Sequence, residues 1–191
     1  MAPILGIYAS QISGHLWAPS GAYDSIATAN GTGSSATISF TSIPSTYTHL
    51  QLRAIVKSTT AGSSFTGVNL TFNSDTSSSY TRHILYGNGS SALAFGGTAG
   101  VAWSIGGNDV PTAGYTSIFG THVIDILDYA NTSKNKTVRA LTGADVNGAG
   151  EILLSSTVFL KTDAISSIQL NCASGNFASG TTYALYGIKG N

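Results

Sequence analysis

The sequence predicts an all-β protein, an antiparallel two-sheet sandwich of the jelly-roll type that follows an apolar N-terminal segment. Three observations support this prediction. From residue 22 onward, short runs alternate apolar and polar side chains, which is the period of a half-buried strand. Clusters of Gly, Ser, Asn and Asp separate the runs, and no long amphipathic helical pattern follows residue 20. The 191 residues fit one domain.

The run at 50–56 is the clearest strand. Leu50 and Leu52 point to one side, whereas Gln51 and Arg53 point to the other. Further strands are predicted at 22–29, 34–40, 68–72, 80–86, 115–127, 136–142, 152–160, 165–172 and 182–188. From the alternation we predict the core residues Leu50, Leu52, Val56, Val68, Leu70, Phe72, Ile168 and Leu170.

The stretch 87–114 has the weakest strand pattern. It is rich in Gly and Ala and offers few large side chains for packing. We predict a long loop there, with a short strand near 101–105, that serves as a contact surface.

The composition indicates a part of an assembly more than a free enzyme. Only 8% of residues are charged, against about 25% in ordinary soluble domains. The chain carries 50 Ser and Thr residues, 23 Gly and a formal net charge of zero. Zero net charge gives a free domain little protection against association. Without a basic face, nucleic acid is not an expected partner.

Residues 1–21 form a predicted N-terminal anchoring arm, and residues 22–191 form the sandwich domain. The spacing of the arm's apolar residues fits a short helix face, and 4–8 also fits a strand. The arm packs either on the chain's own core or, as we expect, on another subunit. It is too short to insert into a membrane. Its predicted anchoring residues are Ile4, Leu5, Ile7, Tyr8, Ile12, Leu16 and Trp17.

Catalytic motifs are missing from the sequence. It has no Gly-x-Ser-x-Gly elbow and no His-Glu-x-x-His pair, and Glu151 is the only glutamate. A hydrolase would need a clustered acid pair. His122 shares a strand face with Ile124, whereas Asp125 lies on the opposite face. We therefore expect no enzymatic activity and no cofactor.

The remaining polar motifs favour structural roles. Asp128 is predicted to cap a turn, with calcium binding as the alternative, and the loop 145–148 resembles part of a calcium loop. Cys172 is expected to be buried. Charge pairing with Asp125 and Asp128, or else an anionic glycan contact, is predicted for the basic residues Lys134, Lys136 and Arg139.

Several aromatic residues raise the alternative of sugar stacking. Tyr and Trp serve equally well in cores and subunit interfaces, which is the interpretation we favour. The candidate glycan contacts are Trp103, Tyr115 and Tyr129.

Five stretches in order along the chain resemble a family of structural proteins from the virions of tailed bacteriophages. They lie at 2–10, 42–50 (Ser-Ile-Pro-Ser-Thr-Tyr-Thr-His-Leu), 72–80, 125–131 (Asp-Ile-Leu-Asp-Tyr-Ala-Asn) and 183–190. The resemblance implies a β-sandwich tail-fibre or capsid-surface domain without enzymatic activity, often trimeric. Expected partners are other virion proteins, two further copies in a homotrimer and host-surface glycan. The expected location is the virion, assembled in the host cytoplasm. The alternative function is a carbohydrate-binding, receptor-binding module.

Overall fold

The computed structural model describes residues 21–100, 102–104 and 107–190. Every segment of regular structure in those residues is a strand, and every strand pair is antiparallel. The strands are β1 (Tyr23–Asn30), β2 (Thr37–Phe40), β3 (His49–Val56), β4 (Phe65–Thr66), β5 (Val68–Phe72), β6 (Tyr80–Gly87), β7 (Ala92–Gly100), β8 (Trp103–Ser104), β9 (Val110–Pro111), β10 (Gly120–Leu127), β11 (Lys136–Asp145), β12 (Gly150–Phe159), β13 (Ile168–Cys172) and β14 (Thr182–Ile188).

Two sheets of unequal size form the sandwich. The larger has eight strands in the order β1-β14-β3-β10-β11-β12-β6-β7, and the smaller has the order β2-β13-β5-β8. A two-stranded ribbon joins β4 to β9. The predicted all-β sandwich is confirmed. The larger sheet has twice as many strands as the smaller one.

The core fills the space between the two sheets. All eight predicted core residues are fully buried, so the predicted strand register is correct. Three aromatic rings close one end of the core: the Tyr80 and Phe159 rings stack at 5.0 Å, and Phe72 lies 5.4 Å from Phe159. Cys172 is buried, as predicted.

The predicted loop at 87–114 is wrong for its first half. Residues 92–100 form the edge strand β7, which pairs along β6 with Leu85 opposite Ala94. Gly and Ala gave no alternating pattern, but backbone pairing needs no side chain, and the paired β6 supplies the register. The short strand predicted near 101–105 is present as β8.

The strand predicted at 115–127 begins late, at Gly120. Before it, Thr112 accepts a backbone hydrogen bond from Tyr115, and Ser117 adopts a positive φ of 61°. These are turn features, and a positive φ disfavours an extended strand.

Candidate interaction surface

The outer face of the eight-stranded sheet, which points away from the smaller sheet, carries a continuous apolar stripe. We call it the apolar row and define it as Val123, Leu141, Leu154, Leu85 and Ala94. In the register, each of these residues stands directly opposite the next, from β10 across β11, β12 and β6 to β7. Directly opposed side chains lie about 4.5–5.5 Å apart at Cβ, so the row is one contiguous ridge.

The apolar row is open to solvent. Its four larger side chains are 38–55% exposed, and Ile55 and Ile152 on the next row of the same face are 53% and 61% exposed. Together these six side chains present apolar surface on the order of 500 Å², which is near the upper end for the largest patch of a monomer. An antiparallel sheet with a solvated face ordinarily alternates apolar inside with polar outside.

A polar row runs beside the apolar row and gives it a rim. It consists of Gln51, Asp125, Arg139, Ser156 and His83, again directly opposed across five strands. Gln51 Nε2 donates to Asp125 Oδ1 at 2.7 Å, and the Arg139 guanidinium lies 3.6 Å from the Asp125 carboxylate. An apolar centre with a hydrogen-bonded polar rim is the usual anatomy of a protein interface.

Two depressions flank the apolar row. One, of about 730 Å³, is lined by Val123, Leu141 and Ile152 and continues to Glu151. Gly143 lies in its floor, where a Cβ would approach the Glu151 carbonyl oxygen to 2.5 Å. The other, of about 480 Å³, lies around Leu154 and Phe95. Both volumes suit inserted apolar side chains.

Glu151 carries the most displaced carboxyl pKa of the described residues. Burial, and secondly the charge of Asp109, raise the pKa of Glu151 to about 7. The end of the larger depression therefore changes charge near neutral pH.

The inner face of the same sheet holds a buried polar chain. His122 Nε2 lies 3.1 Å from Asp109 Oδ2, and His122 Nδ1 lies 2.9 Å from the Tyr183 hydroxyl. The Nε2–Oδ2 approach is within ion-pair range, yet neither atom has a hydrogen-bond partner of good geometry. Burial, followed by the charge of Asp109, holds the Tyr183 pKa well above its usual value.

The three polar side chains Asp109, His122 and Tyr183 are of the types found in catalytic relays, but a substrate cannot reach them. The Asp109 and His122 side chains are both 0% exposed, and Tyr183 is equally buried. Acid–base catalysis requires contact with the substrate. In this arrangement the three groups link β10, β14 and the residue before β9, and all three side chains are closed to solvent.

The prediction that His122 shares a strand face with Ile124 is confirmed, since both are buried, but the sequence did not reveal its partner Asp109. Asp125 does lie on the other face. Asp109 comes from outside the strand, so no spacing within β10 could reveal it.

The predicted charge pairing is confirmed for two of the three basic residues. Lys134 Nζ lies 2.5 Å from Asp128, and Arg139 pairs with Asp125. The prediction for Lys136 is wrong, because this residue is fully buried. Its ammonium group donates to the carbonyls of Asn131, Lys134 and Thr162. Its burial lowers its pKa, and it holds the loop before β11 together.

The candidate glycan contacts do not form one site. Tyr129 is wrong as a contact, since its ring is 0% exposed and its hydroxyl donates to the Pro44 carbonyl oxygen. Tyr115 is half-buried with its ring 5.5 Å from Phe65. The backbone of Trp103 pairs with Leu70, and its side chain lies outside the described part of the structure.

The predicted anchoring residues lie outside the described residues. They are Ile4, Leu5, Ile7, Tyr8, Ile12, Leu16 and Trp17.

The two calcium hypotheses gain no support from local geometry. Asp145 Oδ1 accepts a hydrogen bond from Asn147 N at 2.8 Å, and Asp128 is engaged with Lys134 and His49. Among residues 21–100, 102–104 and 107–190, no three His, Cys, Asp or Glu side chains cluster as metal ligands.

Sequence reasoning also missed the apolar row, although a signal was present. Ile152, Leu153 and Leu154 form an uninterrupted apolar run in β12, of which only Leu153 is buried. Such runs are typical of strands covered on both faces.

No family model matches the chain, and no curated protein is similar to it. Within the described ranges, no helix has the length and hydropathy needed to cross a bilayer.

Proposed function

We propose that this protein is a non-enzymatic structural subunit of a tailed-phage virion, held on the particle by residues 1–21 and displaying its sandwich at the particle surface. The observation that carries the proposal is the exposed apolar row, with its polar rim, on the outer face of the larger sheet. A free monomer gains nothing from such a face, whereas an assembly subunit covers it.

A second observation points the same way. The edge strand β7 is nine residues long and contains no charged residue and no proline. Free proteins commonly protect an edge with charges, proline or a cover. An uncharged edge next to an apolar face suits a chain that meets neighbours.

The virion assignment itself comes from sequence. The five ordered stretches that resemble tailed-phage structural proteins, together with the low charge, favour a particle component over other assemblies. The buried position of Asp109 and His122 supports a role without catalysis.

The proposal is tested on particles. Full-length protein should co-purify with intact virions. A chain beginning at Ala22 should fold, because the strands of the sandwich have a buried core of their own, but it should fail to attach, because it lacks the anchoring arm. Circular dichroism checks folding. Attachment of the truncated chain at the full-length level would overturn the anchoring role, and absence of the full-length protein from purified particles would overturn the virion role.

The carbohydrate-binding alternative has less support, because Tyr129 is buried. Glycan-array binding by a soluble monomer would favour it over the virion proposal.

A further inference from the structure

We infer that the apolar row is the receptor for the N-terminal segment, residues 1–20, of a neighbouring copy of this chain, so that the subunits are joined by exchanged arms. The inference rests on the proposed function, in which residues 1–21 hold the chain on a particle, and it takes the neighbour that they bind to be a second copy of this chain. It adds the identity of the surface that receives the segment.

The first strand of the sandwich, β1, begins on the outer face of the larger sheet. Tyr23, at the start of β1, lies on the outer face, where its ring meets Tyr186 at 6.4 Å and the Arg53 guanidinium at 5.2 Å. Arg53 stands directly opposite Val123, the first member of the apolar row. β1, which follows residues 1–20 in the sequence, therefore begins beside the face that needs a cover.

The segment 1–20 is long compared with the width of the sheet. Twenty residues span up to about 66 Å when extended. The eight strands of the sheet are about 34 Å wide from first to last at the usual strand spacing. A segment leaving one sheet is thus long enough to cross the outer face of an adjacent copy.

The segment is also chemically complementary to the apolar row. The segment 1–20 contains no Asp, Glu, Lys or Arg, and its large side chains are apolar except those of Gln11 and His15. The apolar row is likewise uncharged, and depressions of about 730 and 480 Å³ flank it. A neutral apolar segment can pack on the apolar row itself without desolvating a charge of that row, and the charged residues Glu151 and Arg139 lie at the depressions beside it.

Cysteine cross-linking between two different chains tests the inference. Both full-length chains carry Cys172→Ser, which removes the buried native thiol. One chain also carries Ile7→Cys, Ile12→Cys or Leu16→Cys, and the other carries Leu154→Cys. A disulfide requires Cα atoms within about 7 Å, so only a bound segment cross-links efficiently.

Leu160→Cys is the matched control for the receiving chain. Leu160 and Leu154 are both 46% exposed, but Leu160 lies six residues further along, beyond the end of β12. With at least one arm position, we expect the covalent heterodimer from Leu154→Cys to exceed that from Leu160→Cys about tenfold, as an effective-concentration effect. Equal yields from the two positions, or no heterodimer from any arm position, would overturn the inference.

Two further measurements separate this inference from the proposed function. An intrachain disulfide in a chain carrying both cysteines, without heterodimer in the mixture, would place the segment on its own sheet and overturn arm exchange. Light scattering on the same samples reports assembly. If the protein forms oligomers but no cross-link forms at Leu154→Cys, only the inference of exchanged arms is overturned. If the protein is monomeric at every concentration, the proposed role as a subunit of an assembly is contradicted as well.

Discussion

Each face of the eight-stranded sheet departs in its own way from the usual distribution of side chains. The inner face buries His122 and Lys136 among its apolar residues, and the outer face exposes Leu141, Leu154 and Ile152 to water. Buried polar groups require partners, and exposed apolar groups require a cover. On the inner face, Lys136 donates to three carbonyl oxygens, and His122 Nδ1 lies within hydrogen-bond distance of the Tyr183 hydroxyl. The outer face lacks a cover within the described residues, and we propose that assembly supplies one.

The largest expected contrast between the faces is in stability. Leu52→Ala on the inner face should lower the free energy of unfolding by about 2–5 kcal/mol, because it leaves a cavity in a fully buried site. Leu141→Ala on the outer face should change it by less than about 0.5 kcal/mol in the monomer. Urea titration of both variants measures the difference. Equal losses would mean that Leu141 is already buried in the isolated protein.

Removing a tyrosine hydroxyl should also lower the free energy of unfolding more on the inner face than on the outer face. Tyr183→Phe leaves buried His122 Nδ1 without its partner and should cost about 1–3 kcal/mol. Tyr186→Phe, three residues along β14 on the outer face, is the control and should be nearly neutral. Thermal or urea unfolding compares them, and a neutral Tyr183→Phe would show that the buried chain contributes nothing to stability.

Glu151, at the end of the larger depression, gives the stability of the protein a pH dependence. Its folded pKa of about 7 lies above the ordinary value of 4.5, so the folded state keeps a proton that the unfolded chain releases. Its contribution to stability is complete below pH 4.5 and is lost as the pH rises through about 7. Asp75 and Asp128 have lowered pKa values and act below this window.

Glu151→Gln should flatten the fall in unfolding free energy between pH 4.5 and 7. Urea titrations at several pH values measure the slope for both chains. An unchanged slope would assign the pH dependence to another group.

The smallest expected effect is on the outer polar row. The Arg139 side chain is 61% exposed at its 3.6 Å contact with Asp125, and exposed ion pairs contribute at most about 1 kcal/mol. Arg139→Gln should therefore change the unfolding free energy by less than that, and added salt should erase the difference. A loss as large as that of Leu52→Ala would contradict the solvent-exposed placement of this row.

The sequence predicted the sandwich and its core because both follow from local alternation. Leu50, Leu52 and Leu70 were assigned from period two alone, and all are buried. It could not predict β7, where Gly and Ala pair by backbone, nor the Asp109–His122 contact, which joins separate parts of the chain. The apolar row needed the register of five strands, since Val123, Leu141, Leu154 and Leu85 become neighbours only across the sheet.

Whether other subunits cover the outer face can be determined from the mass of the full-length protein in solution. Multi-angle light scattering at micromolar concentration should give three chains for the wild type and for Leu160→Asp. The double variant Leu141→Asp, Leu154→Asp should give one folded chain, because charges in the apolar row cannot be buried without partners. A double variant that keeps the wild-type mass, or a wild type that remains monomeric, would show that other subunits do not cover the outer face.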